Sequence, residues 1–175
     1  MPDISEKLAH EVITDIRHVL SKGMHKIEHC AAQLTNDQLW WRPRPEMNSI
    51  ANLMLHLSGN IRQWVIAGVT QAKDTRNRPG EFNDRSNQSK NEILAKLQAT
   101  VNEADEVLSH LTAAKLIEPR RIQGFDTTVL SAILDSVPHF RGHVQEIIHM
   151  TREQLGEKYK FDFVPKDEEQ VSAGG

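Results

Sequence analysis

Apolar residues recur at helical spacing along four stretches of this chain, and polar or proline-bearing segments separate them. This pattern constrains the fold most, because a 3.6-residue period gathers each apolar set on one side of a helix. The first stretch runs from about Ile4 to Leu34, with Leu8, Val12, Ile16, Val19, Ile27 and Leu34 on one broad side. Pro43 and Pro45 in "TNDQLWWRPRPEM" cannot continue it. The second begins near Asn48 or Ser49, either of which can cap free N–H groups, and runs through "IANLMLHLSGNIRQWVIAGV". A polar stretch follows, "TQAKDTRNRPGEFNDRSNQ", which reads as an ordered loop; long loops in compact domains often carry function. The third helix opens at Ser89, with Glu92 completing a capping box, and buries Ile93, Leu97, Val101, Ala104, Leu108 and Leu111. "IEPRRIQGFD" reads as a short extended pair. The fourth helix starts near Asp126 or Thr127 and ends before Gly156. Pro138 lies inside it and is expected to kink or segment it.

With no strand-rich region and no internal repeat, the expected fold is all-α, most simply a four-helix bundle. The long middle and late connections argue against a topology built only from short hairpins. A chain of 175 residues suits one domain. Residues 1–165 are assigned to the bundle and 166–175 to a frayed tail, with the aromatics of "YKFDFV" clamped against the helices.

Charge and cysteine content narrow the function. A net charge of −3 offers no basic face for nucleic acid. No apolar run approaches the roughly 18 residues of a membrane span, and the acid-bearing N-terminus has no secretory h-region. The single cysteine, Cys30, can form no internal disulfide, which points to a reducing, cytoplasmic setting; a buried inert thiol is its expected state.

Nine histidines are many for this length. Residues four apart on a helix lie about 40° apart, so His139 and His143 in "VPHFRGHVQEIIH" point the same way. Phe140, Ile147 and Met150 lie on or beside that direction, which places the pair at the edge of a buried face. Glu146 falls beside them. His56 belongs to a second polar line, with Asn52, Gly59, Asn60 and Gln63, next to the apolar face of Leu53, Leu57, Ile61 and Trp64. Buried polar groups need partners. One solution has the two lines facing each other across a shared metal; the other leaves His56 a hydrogen-bonded core residue. Three imidazoles suit zinc, nickel, iron or copper, and leave a coordination position open. His18, His25 and His29 share the same kind of spacing, but Glu11, Asp15 and Lys22 flank them, so they are expected to face solvent without a metal role. Glu146 is open to three roles: general base, fourth ligand, or partner to a histidine. Glu146 and His149 form a lone Glu-x-x-His, where a di-iron bundle needs two. Arg76, Arg78 and Arg85 of the polar loop are candidates to grip an anionic substrate.

With those residues in view, "MNSIANLMLHLSGNIRQW", "DTRNRPGEF" and "VPHFRGHVQEIIHMTREQLG" resemble the DinB-like superfamily of metal-binding four-helix-bundle proteins, closest to a bacterial branch with a His-Phe-Arg-Gly-His pattern. The resemblance implies an up-down-down-up bundle and a homodimer. It carries the three ligand positions onto His56, His139 and His143. Many relatives have Gln where Glu146 stands, which leaves that residue's role open. Relatives include S-transferases that use small thiols, a thiol-dependent isomerase and metal-dependent hydrolases. The expectation is therefore a divalent-metal-dependent enzyme with a small-molecule substrate. It would be a low-molecular-weight-thiol S-transferase, or alternatively a hydrolase using a metal-activated water, or a non-catalytic metal-binding bundle.

Overall fold

A computed structural model describes residues 3–163 of the chain; the assigned tail, 166–175, lies outside the described residues. Helix α1 (Ile4–Gln33) is followed by a short α2 (Asn36–Trp40) and by α3 (Ile50–Ile61). A π-helical stretch, Arg62–Ala67, continues α3 into α4 (Gly68–Thr70). Then come α5 (Arg78–Asn83), α6 (Lys90–Ser109), α7 (Ala113–Leu116), strands β1 (Pro119–Ile122) and β2 (Phe125–Thr128), and α8 (Val129–Leu155). The four long rods are α1, α3 with α4, α6, and α8. Among the described residues no helix is long and apolar enough to cross a membrane.

Side-chain pairs fix the direction of each rod. Gly23 faces Phe140 and Val144, and His29 meets Lys160, so α1 and α8 run the same way. Arg17 pairs with Asp105 and Lys90 reaches the carbonyls of Ala31 and Leu34, so α1 and α6 are antiparallel. Ser58 bonds Thr100 and Arg62 bonds Glu103, so α3 and α6 are parallel. His56 meets His139 and Asn60 meets Ser136, so α3 and α8 are antiparallel. The result is up-down-down-up. Because α3 and α6 are consecutive and parallel, the chain between them must return along the bundle, which explains the long middle connection.

Local chemistry starts the helices where the sequence indicates. Thr35, Ser49 and Ser89 each form a complete capping box, with Gln38, Asn52 and Glu92 respectively. The extended pair is a β-hairpin whose turn residues, Gln123 and Gly124, both have positive φ (52° and 84°), matching the twist of a tight hairpin. This hairpin shifts the start of α8: residues 125–128 pair as strand, and Thr128, rather than Asp126 or Thr127, caps the helix. Helix α8 also runs through Pro138 as one assigned helix, neither segmented nor interrupted. The carbonyl that the missing N–H leaves unpaired belongs to Leu134, which is exposed like Pro138, so water can take it.

The core is closed by Leu20, Ile27, Leu53, Leu57, Leu97, Leu108 and Phe140, all nearly inaccessible. The face of α1 is rotated from the expected one. Ala9, Ile13 and Leu20 are buried and Val12 and Val19 only half-buried, while Leu8 is 65% exposed. Two adjacent apolar lines exist on α1, and packing between α6 and α8 selects one. At the C-terminal end Tyr159 packs on the core, and Arg152 stacks over Tyr159 and Phe161. His29 is not simply a solvent-facing residue: its ring is half-buried and bonded to the Lys160 carbonyl at 2.6 Å.

Candidate metal centre

Both polar lines meet. His56 reaches out from α3 and its Nε2 lies 2.8 Å from Nε2 of His139 on α8. The His56 ring centroid is 5.1 Å from that of His139 and 5.2 Å from that of His143, and the last two are 4.5 Å apart. The rings stand nearly perpendicular to one another. One nitrogen from each lies within 4.8 Å of the others. Nitrogens at about 2.0–2.1 Å from a tetrahedral cation sit about 3.3 Å apart. The His56–His139 nitrogen distance of 2.8 Å is a little shorter than that, so these two rings would part slightly to admit a cation. The donor set fits a divalent transition metal.

The protonation pattern favours the same conclusion. His143 Nδ1 is 2.7 Å from Glu146 Oε2, and His56 Nδ1 is 3.0 Å from Glu81 Oε2. A carboxylate accepting from Nδ1–H leaves Nε2 unprotonated, the usual outer support of a histidine ligand; in the metal-free protein His56 Nε2 then accepts from His139 Nε2–H. His139 is held neutral. Partial desolvation among its neighbours lowers its pKa to about 4, assisted by the neighbouring His143 and His56 rings and by the charges of Arg76 and Arg78. The hydrogen bond from His143 keeps the Glu146 carboxyl below its ordinary range, against the opposing effect of burial. Accessibility is graded across the cluster. His56 is buried, His143 half-buried and His139 exposed, so the cluster opens to solvent on its α8 side.

Glu81, which sequence reasoning did not assign to the site, and Arg76, which it offered as a grip for an anionic substrate, complete it. Glu81 and Arg76 form a doubly hydrogen-bonded ion pair (2.7 and 2.8 Å) against His56, with side chains only 9% and 4% exposed. Burial pushes the Glu81 carboxyl up, but hydrogen bonds from Arg76 and His56 outweigh it and hold its pKa below the ordinary value. Arg76 also donates to Gln63 Oε1 at 2.9 Å, and Gln63 in turn bonds Asp74 and Gln123. Phe82 stacks on His56 with centroids 4.7 Å apart, and the Arg78 guanidinium lies over Phe82.

The polar line on α3 is thus fully employed. Asn52 Nδ2 donates to the carbonyls of Glu81 and Asp84, Asn60 bonds Ser136, and Gly59 leaves room for the Glu81 carboxylate. The π-helical turn carries Gln63 into the interior and leaves Trp64 only half-buried, not on the apolar face as expected. The polar loop is not a plain loop but contains α5, whose packing on α3 delivers Glu81 and Phe82. Its arginines are mostly committed: Arg76 to Glu81, and Arg85 to the carbonyls of Phe82 and Asp84. The sequence signal for Glu81 was the stretch "DTRNRPGEF" itself, an acid and an arginine five residues apart beside a helix-starting proline. His18 and His25 are exposed and His149 likewise, and none joins the cluster.

An up-down-down-up helical bundle with three converging histidines defines a class, the DinB-like fold with a histidine cluster able to hold a metal ion. Residues 7–168 match the family described as "Protein of unknown function (DUF1572)", and the chain belongs to that family. Among solved structures, it is similar to a DinB-like protein, YjoA, from Bacillus subtilis, with a TM-score of 0.63 and 14% identity. That match covers 84% of this chain and 96% of the other, and the likeness is one of fold. No curated protein matches the chain.

Proposed function

We propose that the protein is a divalent-metal-dependent enzyme that transfers a low-molecular-weight thiol onto an electrophilic small molecule. The observation that carries this reading is the convergence of His56, His139 and His143 from two rods, with the last two accessible from solvent. These three imidazoles would hold zinc, nickel or iron. A divalent cation so held would lower the pKa of a thiol that coordinates it.

Glu146 would take the thiol proton. Its carboxylate is ionised, nearly half exposed, and tethered to His143 at 2.7 Å, so it can accept a proton inside and release it outside. The sulfur then bonds to the electrophilic carbon. The displaced electron pair leaves with a halide, opens an epoxide, or moves along a conjugated alkene. Phe82 covers one side of His56 and narrows the approach to the α8 side. The resemblance supports a homodimer, and the unpaired Cys30 a cytoplasmic setting; both belong to this proposal.

The same ionised Glu146 supports a second reading, hydrolysis, with Glu146 as general base toward water. The test assays the metal-loaded protein with several bacterial thiols and a generic electrophile, and in parallel with ester and amide substrates. Metal-dependent adduct formation, lost in His143→Ala, is the expected result. Glu146→Gln should cost hydrolysis about 10²–10⁴-fold if Glu146 is the base, and thiol transfer much less. Absence of turnover with every thiol would leave a metal-binding bundle without this chemistry.

A further inference from the structure

His56 Nδ1 has two competing neighbours. The Glu81 carboxylate oxygen, an acceptor, is 3.0 Å away, and the Arg76 Nη2, which can only donate, is 3.1 Å away. The two demand opposite tautomers. If Nδ1 carries the proton, it donates to Glu81 and Nε2 presents a lone pair. If Arg76 donates to Nδ1, the proton sits on Nε2, and His56 can no longer bind a cation there.

We propose that Glu81 is the positioning residue that holds His56 as its Nδ1–H tautomer, and that the segment from Arg76 to Glu81 is thereby a working part of the metal centre. This rests on the metal reading given above. Three features support it. Arg76 already donates through both Nε and Nη2 to Glu81, at 2.7 and 2.8 Å, so the pair fixes the carboxylate and satisfies its remaining lone pairs. Both candidate bonds at Nδ1 are charge-assisted, but Arg76 is committed elsewhere as well, donating through Nη1 to Gln63 Oε1 at 2.9 Å. Finally, α3 is shaped for this carboxylate: a Cβ placed on Gly59 would sit 1.9 Å from Glu81 Oε1. The two carboxylates differ in setting: Glu81 is enclosed and charge-paired with Arg76, whereas Glu146 is nearly half exposed and bonded to His143.

Two variants test this. Glu81→Ala removes the acceptor and leaves Arg76 facing Nδ1 alone, though a buried guanidinium without its partner endangers folding. Gly59→Ala keeps every charge and improves helix propensity, and its methyl displaces the flexible end of Glu81. Long-range ¹H–¹⁵N correlation on the metal-free protein reads the His56 tautomer. Competition with a chromophoric chelator reads Zn(II) affinity. Expected are Nδ1–H in the parent chain, Nε2–H in folded Gly59→Ala, and a 10–100-fold loss of Zn(II) affinity in that variant. An Nε2–H His56 in the parent, or parental Zn(II) affinity in folded Gly59→Ala, overturns the proposal. A parent chain that takes up no Zn(II) overturns the metal reading instead, and the tautomer measurement still judges Glu81 on its own.

Discussion

At the scale of single residues, His139 links the site to pH. Its folded pKa is about 4, whereas an unfolded histidine titrates near 6.5. Between those values the unfolded chain binds a proton that the folded chain does not. This contribution to stability is therefore complete above about pH 6.5 and declines as pH falls toward 4. The metal-free protein should lose thermal stability on acidification from pH 7 to 5. His139→Gln should lose less over the same interval, as a calorimetric melt at each pH will show. An equal loss in both would mean that His139 does not control the acid limb. The neighbouring carboxylates act in the same sense but at lower pH: the pKa values of Glu81 and Glu146 are lowered, so both stay ionised throughout that interval and their contribution is lost only on further acidification.

At the scale of elements, the start of α3 serves two purposes. Ser49 is fully buried, accepts from the Asn52 backbone N–H at 3.2 Å, and donates to the Asn52 side chain at 2.8 Å. Asn52 also holds the carbonyls of Glu81 and Asp84 at the end of α5. One cap thus sets both the helix that bears His56 and the segment that bears Glu81. Ser49→Ala should cost about 1–2 kcal/mol, or roughly 2–8 °C in melting midpoint for a domain of this size. It should weaken metal binding as well. Ser89→Ala removes an equivalent but exposed cap on α6, an element that carries none of the three histidines. It should cost about 1 kcal/mol or less and leave metal affinity unchanged. Equal effects of the two on metal affinity would separate the cap of α3 from the site.

At the scale of the whole molecule, the ligands are divided between two rods, and His56 and His139 are 83 positions apart. A cation shared between them ties α3 to α8 and binds only the folded chain, so it should stabilise by about 2.7 kcal/mol at a hundredfold excess over Kd. A thermal melt with and without chelator should show that gain, and His143→Ala should abolish it. The four long helices, the caps at Ser49 and Ser89 and the two polar lines were legible from sequence because they follow from a 3.6-residue period and from contacts three or four residues apart. The same period marked His139 and His143 as a pair, and told them from His18 and His25, by the company each keeps. Rotation of α1 past Leu8, the displacement of Trp64 by a π-helical turn, and the passage of α8 through Pro138 depend on how neighbouring rods pack. Glu81 reaches His56 from 25 positions away through a segment with no periodicity of its own. Local chemistry in the chain therefore determined which surfaces needed partners. Only the tertiary structure decided which partners they found, because helix rotation, rod direction and loop path are set by contacts between segments that no short stretch of sequence contains.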